Sequence, residues 1–268
     1  FTLVTTSPVV VSADPIVPAA SARIWIAYTS TNPGDMAPPG TVRVRCRETG
    51  TEWAIDIVAN TISRPRTAVS LVIDRSGSMN DDAGDATTKV AKVREAADVF
   101  ISAMLPDDGI GIVRFNDMAQ RLMEIQDAGA APGGAGRTTA LGHIGGSDIN
   151  PSGGTSIGLG VVNGKQMLDD AQAAPTPDYN VTAMVLLTDG MWNVPPSLAD
   201  VSGSITANTF AVGFGLPSNI SVPALTTLTG GHNGYLLMTG AITPDQTMRL
   251  SKYFLQILAG VTNAQIAA

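Results

Sequence analysis

Residues 67–78 read TAVSLVIDRSGS, an apolar run that ends in a carboxylate and two hydroxyl groups. Residues 68–74 are apolar at nearly every position, which is typical of a strand buried on both faces of a sheet. A helix is predicted over residues 88–104, and its apolar face consists of Val90, Val93, Ala97, Phe100, Ile101 and Met104. A buried strand followed by an amphipathic helix predicts a parallel sheet covered by helices.

The alternation of strands and helices continues to about residue 260. We predict further strands over residues 109–115, 120–125, 181–187, 206–214 and 234–238, and further helices over 156–171 and 244–259. The first two of these strands are close enough for a hairpin, and the Gly- and Ala-rich residues 128–136 predict a loop. Thr243, Pro244 and Gln246 match a capping box and mark the start of the last helix.

Residues 1–66 show a different pattern, because every predicted element is a strand. Short segments rich in Val, Ile, Thr and Trp are bounded by turn-forming residues at 2–12, 22–30, 42–48 and 52–61. Val42 and Val44 alternate with Arg43 and Arg45, which is typical of an antiparallel sheet with one solvent-exposed face. We therefore predict a small all-β module over residues 1–66, an α/β domain over 67–260 and a C-terminal tail over 261–268.

Composition and charge narrow the class of protein. Sixteen basic and 23 acidic residues give the 268-residue chain a net charge of −7, which argues against nucleic acid and anionic membranes as partners. No apolar run approaches the roughly 20 residues of a transmembrane helix, so we predict no membrane insertion within this chain. Cys46 is the single cysteine and cannot form an internal disulfide. Because the chain starts at Phe1, we expect a mature or trimmed form, with any signal peptide or anchor outside it.

Oxygen-bearing side chains follow two of the buried strands and precede one helix. Asp74, Ser76 and Ser78 lie at the end of the first parallel strand, Thr155 comes directly before the helix at 156–171, and Asp189 follows the strand at 181–187. The carboxyl ends of parallel strands form the crevice in which open α/β sheets bind ligands. Oxygen ligands without nitrogen or sulfur favour a hard cation such as magnesium, with six oxygens at about 2.0–2.1 Å.

The ordered set Asp74, Ser76, Ser78, Thr155 and Asp189 resembles the metal-ion-dependent adhesion site of von Willebrand factor type A domains, such as integrin I domains. The resemblance covers about residues 67–260 and implies a Rossmann-like, doubly wound, mostly parallel sheet with one antiparallel edge strand. It also implies that the three hydroxyls contact the metal directly when a ligand is bound, and that the two aspartates act largely through water. An Asp or Glu of a protein partner would complete the shell around Mg²⁺, or around Mn²⁺ or Ca²⁺.

The residues around this set allow two interpretations each. Asp81 and Asp82 resemble the integrin β-subunit pattern that holds an adjacent calcium ion, but acidic residues before a helix also fit the helix dipole. Arg75 stands where an aliphatic residue is common in the family; one interpretation is that it points away from the site, and the other is that it pairs with an acidic group of the partner. Met191 and Trp192, beside Asp189, would form the rest of a partner-binding rim, with ordinary packing as the alternative.

These observations favour a metal-dependent protein-binding module for adhesion or assembly. The alternative is an intracellular subunit of a multiprotein machine, such as a chelatase-type ATPase complex. An enzyme is not predicted, because His143 and His232 are isolated and no motif supplies a general base. A β-strand module before the α/β domain resembles extracellular arrangements in which this domain is inserted into a β-sandwich. The resemblance therefore favours a secreted or cell-surface protein over a cytoplasmic one and leaves the oligomeric state open.

Overall fold

The computed structural model describes residues 1–4, 24–29, 34, 36–60, 65–175, 177–230, 234–240 and 242–258. The chain divides into two compact units, Phe1–Arg64 and Pro65–Ala268. The predicted tail at 261–268, most of the predicted strand at 2–12 and His232 lie outside the described residues. Among the described helices, none is long and apolar enough to cross a bilayer.

The first unit contains two antiparallel strand pairs within its described residues. Strand β1 (Thr2–Leu3) pairs with β2 (Ile26–Ala27), and β3 (Gly40–Arg45) pairs with β4 (Glu52–Ile57). Burial alternates along β3, where Val42 and Val44 are partly buried and the arginines between them are exposed. The four strands therefore form two separate ribbons in the described part, and the alternation predicted from the sequence is present in β3.

The second unit is built on a six-stranded sheet. Its strands are β5 (Thr67–Asp74), β6 (Gly109–Phe115), β7 (Ala119–Asp127), β8 (Val181–Thr188), β9 (Thr209–Phe214) and β10 (Tyr235–Met238). The spatial order is β10-β9-β8-β5-β6-β7, and all neighbours are parallel except the β6–β7 hairpin. The predicted α/β fold with one antiparallel edge strand is confirmed.

Helices cover both faces of this sheet. They are α1 (Lys89–Ala103), α2 (Ala135–Gly145), α3 (Ile157–Ala173), α4 (Val222–Leu228) and α5 (Pro244–Leu258). Alternate residues of β5 belong to the two apolar cores: Leu71 packs in the core with α1 and α5, and Val72 packs in the core with α3 and α4. The predicted capping box is present at α5, since Gln246 N–H donates to Thr243 Oγ1 (3.3 Å) and Thr243 N–H donates to Gln246 Oε1 (3.0 Å).

The glycines of α3 allow close packing of this helix on the sheet. A Cβ atom at Gly164 would lie 2.6 Å from Cγ2 of Val72 and 2.7 Å from the sulfur of Met184. A Cβ atom at Gly160 would similarly lie 2.6 Å from the ring of Phe115. Both glycines are therefore explained by the close contact between α3 and the strands.

Helix α2 differs from the sequence prediction, which indicated a loop over 128–136 and no helix between that loop and residue 156. It begins after Gly134, without a side-chain cap, and its sequence is rich in Gly and Thr. The buried Arg137 of α2 donates to the carbonyl oxygens of Ile101 and Met104 at the end of α1, and to that of Gly129 at 3.0 Å. A tertiary contact with the end of α1 thus stabilises a helix that its own sequence signals only weakly.

Candidate metal centre

Asp74, the first candidate ligand, lies where the carboxyl ends of β5 and β8 are side by side. Ile73 of β5 pairs with Leu187 of β8, so Asp74 and Thr188 follow side by side. Asp74 is fully buried, its Oδ1 accepts a hydrogen bond from Ser76 N–H at 2.8 Å, and its Oδ2 accepts one from Thr188 Oγ1 at 2.6 Å. Thr188 is not among the sequence-predicted residues, although it directly precedes Asp189 at the end of an apolar strand.

Ser76 and Ser78 lie in the turn after β5, which continues as a single 3-10 turn over Gly77–Asn80. Ser76 is buried and Ser78 is partly exposed, and their Oγ atoms are 3.1 Å apart. Two neighbouring ligands of an octahedral magnesium ion at about 2.1 Å would be about 3.0 Å apart. The separation of the two hydroxyls therefore fits adjacent positions on one such ion.

Thr155 belongs to a loop that is fastened to both neighbouring loops. Gly77 N–H donates to the carbonyl oxygen of Gly153 at 3.0 Å, which ties this loop to the serine turn. Thr155 N–H donates to Asn193 Oδ1 at 2.8 Å, and Asn193 N–H donates to Thr155 O at 3.1 Å. Thr155 is buried, and this two-point contact with Asn193 ties it to the loop that carries Asp189.

The β6–β7 hairpin supports the Thr155 loop from the other side. Asp117 Oδ1 accepts a hydrogen bond from Gly154 N–H at 2.9 Å, and the Asn116 carbonyl oxygen accepts one from Ser156 N–H at 2.7 Å. Gly153 has φ +75°, a conformation that glycine adopts without steric cost. The residues predicted from the sequence do not include Asn116, Asp117 or Asn193, whose one signal in the sequence is their position in loops at the carboxyl edge.

Asp189 is fully buried and hydrogen-bonded through both oxygens. Its Oδ1 accepts a hydrogen bond from Met191 N–H at 3.0 Å, and its Oδ2 accepts one from Lys89 Nζ at 2.9 Å. Burial, together with the charge of Asp189, raises the pKa of Asp74 to about 7. Two buried carboxylates that repel each other in this way favour binding of a cation.

The predicted rim residues separate into two groups. Met191 and Trp192 are 49% and 48% exposed. They line an open pocket of about 190 Å³ together with Ser78, Gly153, Thr155 and Asn193. Arg75 does not line this pocket; it is partly buried, and its Nη2 donates to Ser152 Oγ.

Asp81 and Asp82, proposed as an adjacent metal site, have other contacts. Asp82 Oδ1 accepts hydrogen bonds from Gly84 N–H at 2.8 Å and from Ala86 N–H at 3.0 Å, which organise the loop before α1. Asp81 Oδ2 lies 3.9 Å from Lys89 Nζ. Within the described ranges, no three His, Cys, Asp or Glu side chains form a group that could hold a metal ion. The candidate centre also depends on the hydroxyl groups of Ser76 and Ser78, and serine is not one of these four residue types.

Sequence and fold both relate the α/β unit to known proteins. Residues 69–191 match the model of the von Willebrand factor type A domain. The α/β unit has the fold of a von Willebrand factor type A domain. The match to this domain spans all five oxygen-bearing residues of the candidate centre, from Asp74 to Asp189. No curated protein sequence matches the chain significantly.

Solved structures share the fold of the α/β unit at low sequence identity. A von Willebrand factor type A protein from Catenulispora acidiphila is 21% identical with a TM-score of 0.54, over 80% of this chain and 46% of that one. The manganese-loaded TRAP protein of Plasmodium vivax is 14% identical with a TM-score of 0.54, over 84% of this chain and 78% of that one. The pilus adhesin SpaC from Lactobacillus rhamnosus GG is 16% identical with a TM-score of 0.53, over 86% of this chain and 35% of that one.

Proposed function

We propose that the von Willebrand factor type A domain is a metal-dependent protein-binding module, for adhesion or assembly, that docks an acidic side chain of a partner. The observation that carries the proposal is the 3.1 Å separation of Ser76 Oγ and Ser78 Oγ, in a turn hydrogen-bonded to the Thr155 loop and next to two buried carboxylates. Hydroxyl and carboxylate oxygens are the donors that Mg²⁺ prefers, with Mn²⁺ or Ca²⁺ as alternatives.

The side chains have distinct roles in this proposal. Ser76, Ser78 and Thr155 would hold the cation, and a bound divalent cation would supply the positive charge that attracts the partner's carboxylate. Each oxygen of Asp74 and Asp189 accepts one hydrogen bond from the protein and keeps a further lone pair. Both aspartates are therefore able to accept hydrogen bonds from water around a cation while their present contacts persist.

The surface around the pocket indicates what would surround the partner's acidic residue. Of the seven large apolar side chains that are exposed in the described part of this domain, five follow β6, β8 or β9 at the carboxyl edge of the sheet: Met118, Met191, Trp192, Leu216 and Val222. Exposed apolar side chains gathered on one side of a domain are typical of protein-interaction sites. We therefore propose a protein partner whose Asp or Glu is flanked by apolar side chains.

Binding is favoured over catalysis by the side chains at the pocket. The pocket-lining residues, all of them described, include no His, Glu or Lys that could act as a general base. His143 is engaged elsewhere, with its Nδ1 2.7 Å from Asp148 Oδ2.

For location we propose the cell surface or secretion, and the fold shared with a pilus adhesin supports this. A subunit of an intracellular machine remains the second candidate, because type A domains also occur there by family resemblance.

The proposal can be tested by titrating metal-depleted protein with magnesium, manganese and calcium in a calorimeter. Ser78→Ala and Asp189→Ala should lose binding, while Ser218→Ala and Asp98→Ala should keep it, because Ser218 and Asp98 are exposed and lie outside the centre. Circular dichroism would confirm that each variant is folded. Unchanged affinity in folded Ser78→Ala and Asp189→Ala would contradict the proposed centre.

A further inference from the structure

A buried lysine lies against the candidate metal centre. Lys89, the first residue of α1, is 1% exposed, and its Nζ lies 2.9 Å from Asp189 Oδ2 and 3.9 Å from Asp81 Oδ2. Lysine is almost never fully buried unless its charge is paired, and Asp189 is the nearer, fully buried partner. The centre thus contains two buried carboxylates and one buried ammonium group.

The residues around Lys89 hold its side chain against Asp189. Its own N–H donates to the Asp81 carbonyl oxygen at 3.0 Å, and Thr88 caps the helix start by accepting from Ala91 N–H. Gly215 packs directly on the lysine chain, because a Cβ atom there would lie 2.7 Å from Lys89 Cε. The lysine stem therefore fills a channel between the start of α1 and the end of β9.

The position of Lys89 is electrostatically unfavourable for the helix itself. The first turn of a helix carries a partial positive charge, which disfavours a cationic side chain. An ammonium group held there without solvent must be stabilised by something other than the helix. The buried carboxylate of Asp189, 2.9 Å away, supplies that stabilisation.

We propose that Lys89 is a built-in counter-ion of the metal centre. Its ammonium group keeps Asp189 in place without a cation, and it lowers the negative charge of the two-aspartate centre by one unit. The inference rests on the proposed function, since it concerns the cation that Ser76, Ser78 and Thr155 would hold. Two consequences follow: the lysine stabilises the metal-free domain, and it weakens the attraction of the centre for a divalent cation.

The test compares thermal unfolding and magnesium binding of the full chain in the wild type and in Lys89→Met. Without magnesium, the variant should melt about 10 °C lower, because a buried carboxylate loses its partner. Magnesium should restore most of this loss, and the magnesium affinity of the variant should rise about tenfold or more, since one opposing charge is removed. Lys89→Gln, which keeps a donor for Asp189 without the charge, should show the same rise in affinity.

Lys92→Met is the matched control, because Lys92 is also a buried lysine of α1 and its Nζ lies 2.9 Å from Asp85 Oδ2, a carboxylate outside the proposed centre. It should lose similar stability with and without magnesium and keep the wild-type affinity. If folded Lys89→Met or Lys89→Gln behaves like Lys92→Met, the lysine is only a structural ion pair and the inference is overturned. If the wild type binds no divalent cation, the proposed function and the inference both fail. If the wild type binds a cation but the Lys89 variants behave like Lys92→Met, only the inference fails.

Discussion

The metal-free protein should lose stability as the pH rises towards neutrality, because of Asp74. Burial and the nearby charge of Asp189 raise the pKa of Asp74 from 3.8 to about 7. Between these two values the folded protein keeps a proton on Asp74 that the unfolded chain has already released. The free energy of unfolding contributed by this group is therefore fully present below pH 3.8 and is lost as the pH rises through about 7.

The magnitude follows from the size of the shift. A change of about 3 pH units at about 1.4 kcal/mol per unit corresponds to about 4 kcal/mol over the whole window. In urea unfolding experiments, the free energy of unfolding should fall by about 2–3 kcal/mol of this amount between about pH 5 and about pH 7.5. Carboxylates with lowered pKa values, such as Asp85 and Asp200, change protonation below this range and so do not mask the effect.

The assay needs a chelator and a variant that cannot titrate at this position. Asp74→Asn keeps the size of the side chain and mimics its neutral form, so its stability should change much less than that of the wild type over the same pH range. Excess magnesium should flatten the wild-type curve as well, because a bound cation favours ionised Asp74. Parallel curves for the wild type and Asp74→Asn in chelator would refute the reasoning.

Three substitutions test two contacts that assemble the site and one contact that packs α3 on the sheet. Thr188→Val should lower the free energy of unfolding by about 2 kcal/mol, because a buried oxygen of Asp74 loses its donor. Asn193→Ala should weaken magnesium binding in calorimetry by about tenfold, since Thr155 loses its two-point contact. Gly164→Ala should lower the unfolding free energy by about 1–3 kcal/mol, because the methyl group would meet a carbon of β5 at 2.6 Å.

Each substitution has a matched control in the same chain. Thr182→Val changes a partly buried threonine of β8 far from Asp74, and Asn163→Ala changes an asparagine of α3 that donates to its own helix. Gly142→Ala places a methyl group in α2 where no atom lies within 4 Å. If a substitution and its control have equal effects, the contact assigned to that residue does not carry the predicted role.

The sequence predicted the parts of the structure that depend on local pattern and on topology. Continuous apolar runs predicted β5 and β8, and the carboxyl-edge rule for parallel sheets predicted that Asp74 and Asp189 lie close together. Both carboxylates do lie at neighbouring strand ends, where the charge of one acts on the other. The metal-binding roles of these residues stay predictions until a cation is titrated.

The parts that the sequence did not predict depend on contacts between distant residues. Helix α2 has weak signals of its own and is held by Arg137, whose charge is satisfied by carbonyl oxygens of α1. Lys89 has the sequence position of a solvent-exposed residue at a helix start, and its burial depends on a carboxylate one hundred residues later. Asn193 is similarly unremarkable in the sequence, and only the folded loops show that it holds Thr155.

The hydrogen bonds of the candidate centre suggest why a cation could bind there at little structural cost. All four carboxylate oxygens of Asp74 and Asp189 accept hydrogen bonds from the protein, and these contacts hold both aspartates in place. The bond between Ser76 Oγ and Ser78 Oγ is different, because it joins two neutral hydroxyls that would both turn their lone pairs towards a cation. A cation would therefore replace one weak hydrogen bond and leave the charged contacts intact. The attraction of the centre for a cation would depend on the charge left over after the contribution of Lys89.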